Sequence, residues 1–343
     1  MAFDKYETYR EIKSQCAAWE QALDLVTALS LPKAADYDQV IFTGCGSTYY
    51  LSLSAASLYQ ELTGRSARAI PGGELLLNPQ TVVLRNKPSS RKTLLVAISR
   101  SGTTTETVRA VEQFKRDMLG EVVVISNNAE TLAALGDITL VISKGRENSV
   151  AQTRSFTSML VAASAFCMRM AGGDDLLFAM HALPQAGNLL ISQYESFAKE
   201  IGDQLNFDRF YFLGSGSRYG LACEANLKLK EMTLTHSEPF HFLEFRHGPM
   251  SMVNEKTVVV GLVSQANASH ELAVLHEMQA LGAKILGFGE SGVEVAFRSG
   301  LSENIRGVLY LPVLQLMAFY RSIAKGLNPD RPNNLQAVVK LDL

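Results

Sequence analysis

Two stretches of this 343-residue chain concentrate side chains that can move protons or hold an anion. From Lys228 to His247 the sequence reads "KLKEMTLTHSEPFHFLEFRH", which places Lys228, Lys230, Glu231, His236, Glu238, His241, Glu244, Arg246 and His247 in twenty residues. Carboxylates and imidazoles are the groups most easily tuned to exchange protons near neutral pH, so acid and base chemistry is what this segment could do. A lone glutamate at a helix end is ordinarily solvated and a lone histidine ordinarily structural; the density of such groups here is what sets the segment apart.

The other stretch is "ISRSGTTTE", residues 98–106. It ends an apolar run and opens a helical one. Backbone N–H groups at a helix amino terminus point outward with the positive end of the dipole, and Ser99, Ser101 and Thr104 add hydroxyls around the place an anion would take. Gly102 lets the backbone come close. Thr103 and Glu106 also stand at capping-box spacing, which is the plainer role, but three hydroxyls and an arginine exceed what a cap needs. A phosphate is the anion this loop suits.

The elements that would position these groups follow from periodicity. Apolar residues at helical spacing from about Lys5 to Leu29 (Ile12, Cys16, Trp19, Leu23, Val26) predict a leading amphipathic helix that must act as a lid or a brace. Then "QVIFTGCGS", "KTLLVAIS", "EVVVIS" and "DITLVIS" read as strands, separated by helical stretches that include "AETLAALG", and the run from Phe156 to Met170 closes the unit as a helix. Near-continuous apolar strands alternating with helices mean a parallel sheet covered on both faces. A second round begins at "RFYFLGSGS" and continues through "TVVVGLVS", "AKILGFG" and "GVLYLPVLQLMAFYRSIAKG", the last read as strand into helix.

The two rounds are related. An offset of 170 residues carries Gly44, Gly46, Ser47, Tyr49 and Glu61 onto Gly214, Gly216, Ser217, Tyr219 and Glu231. Any two α/β units can share a glycine-rich strand-to-helix turn, but five matches favour duplication. The expected fold is α/β, two tandem three-layer doubly wound parallel-sheet domains in flavodoxin-like order. The expected boundaries are an N-terminal helical segment 1–34, a first domain 35–172, a second domain 173–327 and an extended C-terminal tail 328–343. The copies differ where chemistry would sit. The second copy has "LVSQANASHE" in place of the serine loop, so only the first is expected to bind phosphate, and only the second carries the acid and base cluster.

Bulk properties narrow the partners. A hydrophobic content of 47% allows two domains with their own cores, and a net charge of -2 gives no field for a polyanion, so nucleic acid is not expected. Four cysteines without a CxxC pair argue for reduced thiols rather than a disulfide framework or a zinc site, and no metal or cofactor is expected. The start, "MAFDKYETYREIKSQ", is charged and amphipathic, and the most apolar long stretch, "FTSMLVAASAFCMRM", is too short and polar to span a bilayer. A cytoplasmic protein without a membrane anchor is expected.

Taken in order, "GCGSTYY", "SRSGTTTET", "SVAQTRSFT", "LKLKE" and "FRHGP" resemble the double sugar-isomerase (SIS) domain of glucosamine-6-phosphate synthase, the SIS-type glucosamine-6-phosphate deaminases and the fructosamine-6-phosphate deglycases. The resemblance runs from about Gln39 to the end. It implies a sugar 6-phosphate held by Ser47, Thr48, Ser99, Arg100, Ser101, Gly102 and Thr104. It implies Glu231 as the base between C1 and C2, His247 as the ring-opening residue reaching in from the other subunit of a homodimer, and Lys228 as a further active-site residue. The implied activities are glucosamine 6-phosphate deamination first, then aldose–ketose isomerisation and fructosamine 6-phosphate deglycation, with a non-catalytic sugar-phosphate sensor as the other class. Three positions depart from the synthase. Arg100 replaces a glutamine, and Ala337 in "NNLQAVV" stands where a lysine is found, with Lys340 nearby. Ala2 stands where the synthase has a nucleophilic cysteine, so a glutamine-dependent reaction is not expected.

Overall fold

The computed structural model describes residues 3–82, 92–117 and 119–341; Ala2 lies outside them. The chain forms two compact units. One comprises Gln15–Glu147, Arg154–His181 and Gln336–Leu343; the other comprises Met1–Ser14, Asn148–Thr153 and Ala182–Leu335.

The unit that begins at Gln15 is built on five strands, β1 (Gln39–Gly44), β2 (Ala67–Pro71), β3 (Thr93–Ser99), β4 (Gly120–Ser126) and β5 (Ile138–Val141), in the order β2-β1-β3-β4-β5. All pairs are parallel. Every residue of the central β3 is buried, as a strand covered on both faces requires. Alternate side chains divide between the faces: Ile41, Leu95, Ala97, Val122 and Val124 pack with Val111 and Phe114 of the helix Thr105–Arg116. Helices Cys16–Ala28 and Ser47–Thr63 both pack against the helix Arg154–Met170, and the Trp19 indole N–H donates to Thr157 Oγ1 at 2.9 Å.

The other unit repeats the plan with β6 (Arg209–Leu213), β7 (His236–Phe240), β8 (Thr257–Leu262), β9 (Lys284–Gly289) and β10 (Val295–Ala296), in the order β10-β9-β8-β6-β7. Read from its other edge this is the same arrangement, and the registers agree: Thr43 faces Ala97 as Leu213 faces Gly261. The doubly wound, flavodoxin-like order expected from the sequence is therefore present twice.

Two elements depart from the sequence reading. "AETLAALG" forms only a 3₁₀ turn, Ala133–Leu135. Residues Arg306–Tyr310 are a 3₁₀ turn leading into the helix Leu311–Ala324 rather than a strand, because this segment is buried all round and its apolarity is that of a core helix. This run, Arg306–Ala324, rather than 156–170, is the one among the described residues long and apolar enough to cross a membrane, and it is 83% buried in the fold.

The leading helix divides at Gln15 into Glu7–Ser14 and Cys16–Ala28, and Ile12, Cys16, Trp19, Leu23 and Val26 are all buried. The first part braces the unit of β6–β10. Asp330 accepts the Glu7 and Thr8 N–H groups at 3.1 and 2.8 Å, and Glu11 accepts those of Asn148 and Ser149 at 2.6 and 3.3 Å. Glu195 accepts hydrogen bonds from Tyr9 (2.5 Å), Lys13 (2.6 Å) and Tyr320 (2.8 Å). Burial alone would raise its pKa, but these three donors hold it below the usual 4.5. A depressed carboxylate stabilises the fold above its unfolded-state pKa, and that contribution fades as pH falls through the folded-state value. Glu195→Gln is therefore expected to cost roughly 1–2 kcal/mol at pH 7 and little in acid. Melting curves across pH 3–7 check this; an equal loss at every pH would show that the charge contributes nothing.

Candidate functional site

In the unit of β1–β5 the candidate anion loop forms at the carboxyl ends of β1 and β3. These adjacent strands lead to opposite directions of the sheet, the place where ligands enter open α/β sheets. Gly46 at φ 57°, ψ -124° turns β1 into the helix Ser47–Thr63, and Gly216 at φ 58°, ψ -134° does the same after β6. The repeated glycine is thus a backbone requirement, since a side chain is strained at such angles. Ser47 and Thr48 are buried. Thr48 Oγ1 accepts the Cys45 N–H at 2.9 Å and lies 3.0 Å from the Cys45 carbonyl, so Thr48 fixes the turn itself.

Ser99 ends β3, and its Oγ accepts the Gly102 N–H at 3.2 Å. Ser101 Oγ accepts the Thr103 N–H at 3.1 Å and lies 3.5 Å from Thr104 Oγ1. Thr104, not Thr103, is the N-cap of the helix Thr105–Arg116, and its side chain makes no cap hydrogen bond. The capping-box alternative therefore loses its support, while the hydroxyls remain gathered at the positive end of a three-turn helix. Gly102 has φ 69°, and a Cβ there would lie only 3.1–3.5 Å from Glu130, Asn128 and Ser126. Arg100 neither points to open solvent nor stands alone. Its Nη2 donates to the Ala337 carbonyl, its Nη1 lies 3.9 Å from the buried Glu147, and its side chain is 10% exposed.

In the other unit, Glu224, Lys228 and Glu231 form one stripe along the helix Ser217–Thr233. Lys228, 2% exposed, places its Nζ 2.6 Å from Glu231 Oε2 and 3.4 Å from Glu224 Oε1. Glu231 is 19% exposed at its side chain and borders a small depression with Leu234, Asn328 and Asn333. A carboxylate with one oxygen fixed by a buried ammonium keeps the other for substrate, which is the geometry a directed proton transfer needs.

His247 lies elsewhere in that unit. Its segment packs Phe242 and Phe245 against Tyr211, Leu213 and Val259 on one face of the sheet. The helix carrying Glu231 packs on the other face, with the helix Leu311–Ala324, whose Arg321 guanidinium lies 4.9 Å from the Phe210 ring. Phe210 and Tyr211 are consecutive in β6 and so point to opposite faces. Within one chain the sheet separates Glu231 from His247. Of the other candidates, His236 and Glu238 form an exposed pair at 3.6 Å. His241 stacks on Tyr219 at 3.9 Å and 18°, and burial holds its pKa below the usual 6.5.

Sequence reasoning missed two residues and one contact beside these candidates. Glu224 stands four residues before Lys228, a helical spacing that could have revealed it. Glu147, fully buried at its side chain, accepts the Ser155 hydroxyl beside Arg100, and nothing local marked it. The tail also reaches the loop: Leu341 donates its N–H to Thr105 Oγ1 at 3.0 Å, which brings the neighbouring Lys340 to the amino end of the same helix.

Comparison with known proteins agrees with this architecture. The SIS domain family model matches residues 34–169 and 206–295. The chain is 30% identical over 329 residues to glutamine–fructose-6-phosphate aminotransferase (isomerizing) of Pyrococcus horikoshii, covering 91% of this chain and 54% of that protein. It thus spans about half the length of the curated relatives it matches. The crystal structure of glucosamine-6-phosphate deaminase from Thermotoga maritima superposes with a TM-score of 0.81 at 26% identity, covering 98% of this chain and all of that one. Tagatose-6-phosphate ketose/aldose isomerase from Escherichia coli has the same fold, with a TM-score of 0.81 at 22% identity and 98% coverage of both chains. A family model that spans both sheets, on a chain that repeats one sheet order twice, has one meaning: the protein belongs to the SIS domain family.

Proposed function

We propose that this chain is an enzyme of sugar 6-phosphates, and specifically that it deaminates glucosamine 6-phosphate. The observation that carries the reading is the Lys228–Glu231 pair, a buried cation that orients one oxygen of a partly exposed carboxylate. The deaminase likeness, 26% identical across a whole chain, favours an amino sugar.

In this reading Ser99, Ser101 and Thr104 bind the 6-phosphate with the amino end of the helix Thr105–Arg116, and Ser47, Thr48 and Gly102 shape the loop. Arg100 contributes through its hold on the tail. His247 opens the ring by moving a proton from the C1 hydroxyl to the ring oxygen. Glu231 then removes the C2 proton, whose electrons form the C1–C2 double bond as O1 gains a proton. Returning that proton to C1 lets the nitrogen lone pair form a C2 imine. Water adds at C2 and ammonia leaves, giving fructose 6-phosphate. Because a sheet lies between Glu231 and His247 of one chain, the histidine that serves a given Glu231 comes from the second copy in a homodimer.

The test is a panel of hexose and aminohexose 6-phosphates followed for ammonia and ketose together. The expected result is equal amounts of ammonia and ketose from glucosamine 6-phosphate. Ketose formed from an aldose 6-phosphate, with no ammonia from the amino sugar, would replace this reading with an isomerase. Ser101→Ala is expected to raise KM about tenfold, the loss of a good hydrogen bond to a charged group, with turnover nearly kept. A fall in kcat alone, at unchanged KM, would take Ser101 out of the phosphate site.

A further inference from the structure

The second sheet has its own switch-point crevice, between the ends of β6 and β8, and it is filled. Counted from the matched register, Gln265 and Ala266 fall where Ser101 and Gly102 stand in the first sheet. Their N–H groups, ahead of the helix Ala268–Ala280, both donate to Glu303 Oε2, at 2.9 and 3.2 Å. The other oxygen of Glu303 accepts from Nη1 of Arg218, the residue at the position of Thr48. Arg218 is 8% exposed, its Nη2 lies 3.8 Å from Glu271, and its Nε is buried without a hydrogen-bond partner among the described residues. Two successive backbone donors, a helix dipole and a buried guanidinium make a cradle for an oxyanion.

We propose that this cradle is a second phosphate-type anion site, held shut by the protein's own Glu303 carboxylate, which restricts sugar-phosphate binding to one loop per chain. The inference rests on the assignment of phosphate to Ser99, Ser101 and Thr104. Glu303 arrives from the loop between Phe297 and Ile305, where Gly300 has φ 69°, and its side chain is 21% exposed. It is thus the part of the cradle that solvent reaches, and its removal leaves Arg218 and the two N–H groups facing an opening. Duplication of a ligand-binding domain creates two sites, and an internal carboxylate on one of them prevents the substrate from binding at the copy that lacks the serine loop.

Equilibrium dialysis with labelled inorganic phosphate tests this. The parent is expected to bind one phosphate per chain, Glu303→Ala two, and the double variant Glu303→Ala/Arg218→Met one again, with the second site weakened at least about tenfold as for a lost charged contact. Should Glu303→Ala fail to reach a native circular dichroism spectrum, Glu303→Ser takes its place with the same readout. A folded variant that binds no more phosphate than the parent overturns the proposal, as does a parent that already binds two. If the parent binds none and the variant binds one that depends on Arg218, the plug stands and the serine-loop assignment falls.

Discussion

Glu231→Gln is expected to slow turnover by about 100-fold to 10,000-fold while substrate binding stays near the parental value, because the amide keeps size and reach but cannot take the C2 proton. Lys228 Nζ lies 2.6 Å from Glu231 Oε2, so the amide oxygen can still accept that hydrogen bond and the helix is not disturbed. Exchange of the C2 hydrogen with deuterated solvent, followed on a bound sugar phosphate, separates this step from ring opening. Glu61→Gln is the internal control. Glu61 holds the equivalent place in the first copy and is exposed near the end of the helix Ser47–Thr63, and its replacement should leave exchange unchanged. Exchange at the parental rate in the Glu231 variant would remove this residue from the mechanism and direct attention to His241, stacked on Tyr219, as the base.

The second large effect is a recovery of activity. Glu231→Gln and His247→Ala chains should each retain on the order of 1% or less of parental activity when assayed alone. Mixed by co-refolding, half of the dimers carry one chain of each kind, and one of the two sites in those dimers has both residues intact, so about a quarter of parental activity should return. The basis is the placement of Glu231 and His247 on opposite faces of one sheet. Fractionation by sedimentation should place the recovered activity in the dimer. A mixture as inactive as its components would mean that each chain completes its own site, and the shared-site reading would have to be given up.

Much of the architecture was legible because central parallel strands must be apolar on both faces. The runs "TLLVAIS" and "TVVVGL" are buried at every residue and could hardly be anything else. Two of the edge strands, β2 and β7, were not legible. "ARAIP" and "HSEPF" carry charges and a proline, which an edge position tolerates and a central one does not. The error at Arg306–Tyr310 has a related cause, since a segment buried on all sides loses the periodicity that tells helix from strand.

By itself the sequence determined the duplication, the two glycine turns and the residue types at the site, because strand burial, positive φ and helical spacing are local demands that each residue meets with its neighbours. Lys228 and Glu231, three residues apart on one helix, belong to this class. Other features needed the tertiary structure. That Arg100 is engaged by Glu147 and the carbonyl of Ala337, that Lys340 arrives beside Thr105, and that Glu303 fills the second crevice all depend on contacts between distant segments. The separation of Glu231 from His247 was likewise invisible, although they are only sixteen positions apart in numbering. The chain runs through the edge strand β7 within that span, and the connections before and after it lie on opposite faces of the sheet, so proximity along the chain becomes opposition across the layer.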